Sequence, residues 1–289
     1  MNELIESSVR DIASAIRLKR VSTKEVILAF LDRINIVNPK INAIISVNAE
    51  AALKQAERAD IALANGETPG KLFGVPMTIK DSLDTFDMTT TWGTLGRKDF
   101  RPGKDATCTA RLRREGAIIL GKTNTPEFTL SFKTDNLLFG KTNNPYDLSR
   151  TSGGSSGGAA SAIAAKCTPF DIGTDTGGSI RLPSHFCGIA GIKPTSGRVP
   201  CTGNALPSTG LLSSLTQPGP MAKQVDDLIY LLEILIGPDY EDPNTVPAAW
   251  KDPYDVDIKM LKVGFHKDNG ISTPDADTQN TLVSAIELL

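Results

Sequence analysis

The chain has 289 residues, 40% hydrophobic and 22% charged, with a net charge of −2. That is a globular profile, long enough for one large domain or two small ones, and it carries no basic field of the kind nucleic-acid binding requires. The opening Met1-Asn-Glu-Leu-Ile-Glu6 lacks the apolar stretch of a secretory signal, and no run of about 18 apolar residues exists to span a membrane, so a soluble cytoplasmic protein without membrane partners is expected.

From the N-terminus, Val9, Ile12, Ala13 and Ile16 fall on one helical stripe within residues 9–18. Ser22-Thr-Lys-Glu25 fits a capping box and opens a second helix, with Val26, Phe30 and Ile34 facing inward and Asn38-Pro39 ending it. Residues 42–47 suit a buried strand, and residues 49–65 a third helix closed by Asn65-Gly66. Beyond this helical layer (1–70) the pattern becomes alternating. Strands are expected at 74–79, 117–120, 169–172 and 261–265. Helices are expected at 107–116, 155–166, 225–236 and 275–289, with a Pro- and Asp-rich loop at 238–255. This predicts an α/β fold: a mixed, mostly parallel central sheet covered by helices on both faces. The expected organisation is a single domain over 1–289, with its α/β core at 71–237 and a linker, strand and helix at 238–289.

The four cysteines, Cys108, Cys167, Cys187 and Cys201, show no CxxC spacing and suit free buried thiols. Two histidines, His185 and His266, are too few for a His-based metal site, and neither a metal nor a cofactor is expected. Gly116-Ala-Ile-Ile-Leu-Gly-Lys-Thr123 matches a P-loop by letters. Its intervening residues are a strand rather than a phosphate-wrapping loop, and Asn124-Thr-Pro126 resists the helix that should follow.

The richest segments are Thr151-Ser-Gly-Gly-Ser-Ser-Gly-Gly158 and Gly173-Thr-Asp-Thr-Gly-Gly-Ser-Ile-Arg181, two Gly/Ser loops flanking a helix and a strand. Glycine lets a ligand approach the main chain, and serine supplies hydroxyls for nucleophilic or proton-relay work. Lys80 ends an apolar strand and points either toward the carboxyl-end crevice of the sheet or into a salt bridge with Asp81. Ser179 leaves a strand between convergent backbone N–H groups, as an anion-site residue or a turn-capping one.

Gly74-Val-Pro-Met-Thr-Ile-Lys-Asp81, Ser152-Gly-Gly-Ser-Ser-Gly-Gly158 and Gly173-Thr-Asp-Thr-Gly-Gly-Ser-Ile-Arg-Leu-Pro183 resemble the amidase signature family. Phe186-Cys-Gly188, Gly191-Ile-Lys-Pro-Thr195, Gly121-Lys-Thr-Asn124 and Pro218-Gly-Pro220 extend the likeness over roughly residues 8–270. The resemblance implies a Ser–cis-Ser–Lys triad of Ser179, Ser155 and Lys80, with a cis peptide at Gly154–Ser155. It implies hydrolysis of a small-molecule carboxylic acid amide through an acyl-enzyme, with backbone N–H groups of Thr176, Gly177, Gly178 and Ser179 holding the oxyanion. Ser155 and Thr129 would line the substrate pocket, Ser156 and Thr176 would support the loop, and Asp175 would pair with Arg181 to brace it. Cys187 and His185 would pack against the same loop. Lys80 must be neutral to accept a proton, so burial has to pull it from about 10.4 to about 7.5, and Asp81 has to point elsewhere.

Two departures qualify the likeness. The glutaminase component of tRNA-dependent amidotransferases usually carries Ser-Leu-Asp-Gln where this chain reads Ser214-Leu-Thr-Gln217, which favours a stand-alone amidase, as a possible homodimer without nucleic acid, over that component. Family members are also longer, so the expectation is that the C-terminal part of the family fold is absent, with a truncated, non-catalytic fragment as the alternative.

Overall fold

The computed structural model describes residues 2–67, 70–206 and 209–288. They divide between two compact units that meet in sequence at Ala249 and Trp250.

The first unit opens with helices α1 (Asn2–Glu6), α2 (Val9–Arg17) and α3 (Thr23–Ile41), then β1 (Ile44–Val47) and α4 (Ala49–Ala64). The expected stripe of α2 is fully buried, because a 3.6-residue repeat places Val9, Ile12, Ala13 and Ile16 on one side. The capping box of α3 forms in both directions: the Ser22 hydroxyl accepts from the Glu25 N–H, and the Glu25 carboxylate accepts from the Ser22 N–H. Pro39 lies inside α3 rather than ending it. The helix runs on to Ile41 and stops where Asn42 turns left-handed at φ 49°.

The core follows as β2 (Pro76–Lys80), α5 (Thr107–Arg114), β3 (Ile118–Thr123), α6 (Gly157–Ala164), β4 (Phe170–Asp175), α7 (Arg181–Cys187), β5 (Ala190–Gly191), β6 (Gln217–Ala222) and α8 (Val225–Leu235). β1, β3 and β2 form one sheet, and β4, β6 and β5 another. Strands β2 and β4 lie side by side, joined by the Thr78 hydroxyl donating to Asp171 at 2.6 Å. The α/β class holds, but the expected mostly parallel pairing does not. Among the described strands only β2 and β3 pair in parallel, while β1–β3, β4–β6 and β5–β6 are antiparallel. Alternating helices and strands do not fix strand direction when a segment unreadable as a strand takes the central place. Here that segment is β6, whose Pro218 and Pro220 lack the N–H groups a central strand normally donates.

Other boundaries moved. β3 extends through Gly121, Lys122 and Thr123, and α6 begins at Gly157, leaving Ser155 and Ser156 in the turn before it. The second unit contains α9 (Ala276–Glu287), and the last residue of the helix expected there, Leu289, lies outside the described residues. No strand forms at 261–265. Its side chains are exposed and no neighbouring strand takes up its backbone groups.

Candidate active site

Strand β2 delivers Lys80 into the interior with no solvent exposure. Its Nζ lies 2.7 Å from Ser155 Oγ, 2.8 Å from Thr174 Oγ1 and 3.0 Å from Ser156 Oγ. Burial pulls the amine down to about 7, against the opposing charges of Asp171 and Asp175. Successive strand residues point to opposite faces, so Asp81 turns away from Lys80, as expected. Its carboxylate accepts from the Thr91 N–H and hydroxyl and lies 3.9 Å from Lys122 Nζ.

The peptide between Gly154 and Ser155 is cis. A Cβ on Gly154 would stand 2.8 Å from the backbone of residues 131–133, so only glycine fits where the two loops touch. Ser155 is 1% exposed, and the buried Ser156 hydroxyl accepts from the Thr174 N–H, tying the Ser-Ser turn to β4. Ser179 is 8% exposed, and its carbonyl accepts from the Ser156 N–H at 3.1 Å. The structure thus brings Lys80, Ser155, Ser156 and the backbone of Ser179 into one cluster.

The loop after β4 is organised by Asp175. Its carboxylate accepts a bidentate pair from Arg181 at 2.9 and 3.0 Å, and the N–H groups of Gly178, Ile180 and Arg181. Burial alone would raise this carboxyl; Arg181 and the three amides outweigh it and hold it at about 2. The same contacts correct one expectation. Gly178 N–H is committed to Asp175 at 2.7 Å, so it is not free to hold an oxyanion. The N–H groups of Thr176, Gly177 and Ser179 carry no hydrogen bond among the described residues. Gly178 is needed for its backbone instead, at φ 128°.

Ser179, Thr176, Gly177 and Thr129 line a cavity of about 240 Å³ together with Leu130, Ser131, Phe132, Leu206 and Leu212. Thr129 reaches it through two successive left-handed residues, Phe128 at φ 51° and Thr129 at φ 63°. The Thr176 hydroxyl does more than support the loop: it lies 2.8 Å from the Thr216 hydroxyl, which donates to Leu212 carbonyl oxygen. Cys187 is buried in a small apolar cluster with Ile180, at the end of the oxyanion loop, and its Sγ lies 3.6 Å from the Ser152 carbonyl oxygen on the other Gly/Ser loop. His185 is exposed, its ring tilted 54° to that of Phe186 at 5.8 Å between centroids.

Two buried groups went unassigned in the sequence. Lys122 on β3 has no exposure and donates to Leu83 carbonyl oxygen and to the hydroxyls of Thr85 and Thr90, pinning the loop after β2. Burial pushes Lys122 down and its neighbour Asp81 up, each toward its neutral form. The other is Asp171 on β4, also unexposed. A charged residue inside an apolar strand was the available signal for both. Of the P-loop-like segment 116–123, residues 118–123 form strand β3 and are buried.

The Amidase family is matched over residues 25–289. The glutamyl-tRNA(Gln) amidotransferase A-subunit of Bdellovibrio bacteriovorus is 41% identical over 99% of this chain and 58% of its own length. A solved fatty acid amide hydrolase superposes with a TM-score of 0.91 at 29% identity, covering 99% of this chain and 51% of that one. The peptide amidase of Stenotrophomonas maltophilia gives 0.77 at 35%, covering 85% of this chain and 51% of that one. The chain belongs to the amidase signature family. It spans a little over half the length of the curated relatives it matches.

Proposed function

We propose that this chain carries the hydrolytic site of an amidase that cleaves a carboxylic acid amide to the acid and ammonia or an amine. The observation that carries the reading is the buried Lys80 amine, 2.7 Å from Ser155 Oγ and held near neutrality. A neutral amine donates two protons and accepts one. Thr174 Oγ1 and Ser156 Oγ take the two donations, which leaves the lone pair for the Ser155 O–H.

Ser179 Oγ attacks the amide carbon; its proton passes to Ser155 Oγ as Ser155 gives its own to Lys80. The N–H groups of Thr176, Gly177 and Ser179 hold the oxyanion, each worth about 3 kcal/mol. When the tetrahedral centre collapses, the C–N bond breaks and the proton returns from Lys80 through Ser155 to the leaving nitrogen. Water repeats the sequence on the acyl-Ser179 ester, releasing the acid and restoring all three groups. Asp175 and Arg181 keep the amides aimed, and Ser156 keeps Lys80 in register.

The cavity at Ser179 supports an uncharged, largely apolar acyl group. Leu130, Phe132, Leu206 and Leu212 line it, and no charged side chain does among the described residues. Since Thr216 donates to Leu212, it accepts from Thr176, so this hydroxyl pair is satisfied without a charged ligand. The curated relatives favour a second reading, the glutaminase component of a tRNA-dependent amidotransferase. Glutamine would bring an ammonium and a carboxylate into that cavity, and the first reading suits its lining better.

The test is ammonia release from hexanamide, benzamide and L-glutamine, beside a Ser179→Ala control, with fluorophosphonate labelling and peptide mapping on the same chain. Expected are labelling at Ser179 and turnover of the apolar amides that the control lacks. Preference for glutamine would favour the amidotransferase reading. A wild-type rate equal to the control, with Ser179 unlabelled, would end both readings for this chain.

A further inference from the structure

Asp171 is a buried carboxylate with no use in the steps above. Its Oδ2 accepts the hydroxyls of Thr78, at 2.6 Å, and Thr123, at 3.0 Å, while Oδ1 has no hydrogen-bond partner among the described residues. Thr78 precedes Lys80 by two positions on β2, and Thr123 is its register partner on β3, so all three share one face of the sheet. Three residues along β4 from Asp171, Thr174 supplies a direct partner of Lys80. The carboxylate is thus moored beneath the amine by the two threonines beside it, without touching it.

Packing does not explain a charge here. A carboxylate in a core without a hydrogen-bonded cation is costly, and an amide or hydroxyl would satisfy the two threonines as well. The other charges around the site are otherwise engaged. Asp175 is paired with Arg181 and three amides, while Asp81 and Lys122 face each other and the loop after β2. Lys122 and then Lys80 are the cations that attract Asp171. Of the two carboxylates opposing the desolvation of Lys80, Asp171 is the one without a hydrogen-bonded cation of its own.

We propose that Asp171 is a positioning residue that acts through Lys80: its buried charge, held by Thr78 and Thr123 on the face of the sheet that carries the amine, sets the pH range over which that amine gives up its proton. This rests on Lys80 being the base of the proposed reaction. Burial raises Asp171 itself to about 6 and lowers the amine to about 7, and each charge acts on the other, so proton loss from one bears on the other.

Asp171→Asn keeps an oxygen for both threonines and removes the charge; Asp171→Leu removes the charge with different packing. The readout is the rate of fluorophosphonate labelling of Ser179 against pH, which needs no known substrate. Without the carboxylate, the protonated amine loses its attraction, so the acid limb moves to lower pH in both variants, by roughly one unit. One unit below the wild-type midpoint, the rate as a fraction of its plateau rises about fivefold. A structural role would lower the rate at every pH and leave the midpoint in place, and that result overturns the proposal.

Should the variants fail to fold, the unmutated chain decides. With 15N-lysine and 13C-aspartate labelling, the Lys80 Nζ and Asp171 Cγ resonances should each show a second, smaller inflection at the other's midpoint. Independent single inflections overturn the proposal. This measurement stands even if Ser179 is never labelled, which would count against the hydrolase reading instead.

Discussion

A primary amine can lie in this core because each of its valences has a partner. Ser156 and Thr174 accept from Lys80, and Ser155 completes the shell at 2.7 Å. Replacing Lys80 by methionine keeps the volume and removes the acceptor. Positioned general bases contribute about 10²- to 10⁴-fold, so Lys80→Met should slow labelling of Ser179 by at least about 10² and abolish the acid limb of its pH profile. An acid limb that persists in this variant would assign the ionisation to another group. The residue types at this site were legible because glycines, serines and a strand-end lysine recur in an order that few other chemistries need. Lys122 and Asp171 were not, because a single charged residue in an apolar strand looks alike whether it will be buried or will end the strand. Nor could the sequence tell that the Gly178 N–H is spent on Asp175, since a backbone amide carries no letter.

At the scale of elements, local signals and long-range ones part company. The cap of α3 is complete within four residues and was readable as such. The N-terminus of α2 is different. Ser8 satisfies the Asp11 N–H, but the N–H groups of Val9 and Arg10 donate to the carboxylate of Asp227 on α8, 217 to 218 residues away. Asp227 is 1% exposed, and an anion there both fills orphan donors and meets the positive end of the helix dipole. Asp227→Ala should therefore lower unfolding free energy by about 1–2 kcal/mol in a urea titration, and Asp227→Asn by less. The labelling rate of Ser179 in the folded protein should not change. A variant as stable as wild type would show that water serves those amides equally well.

Over the whole molecule, buried ionisable groups give stability a defined pH profile. Lys80 ordinarily releases its proton at 10.5 and here does so at about 7, so between these values the unfolded chain binds a proton the folded chain does not, and stability rises with pH. Burial lowers Lys122 in the same sense and raises its partner Asp81 in the opposite one. The cysteines act in reverse: burial raises Cys108 from 9.0 to about 11 and Cys167, Cys187 and Cys201 to about 12, so stability falls once unfolded thiols ionise. The urea midpoint should rise from about pH 7, peak at about pH 9 and then decline, with a shallower rise in Lys80→Met. A rise between about pH 7 and 8.5 that is equally steep in Lys80→Met would mean that Lys80 stays charged in the fold.

By itself the sequence determined the helix stripes, the α3 cap, the buried thiols and the family, because these rest on periodicity and on motifs of adjacent residues. The tertiary structure alone decided strand direction, the central place of the proline-bearing β6, the loss of a strand at 261–265 and the charge cluster of Lys80, Lys122, Asp81 and Asp171. Each of these depends on which segments lie side by side and on how much water remains between them. Hydrogen-bond pairing and desolvation are properties of neighbours in space, and a chain read in order carries them only where neighbours in space are also neighbours in sequence.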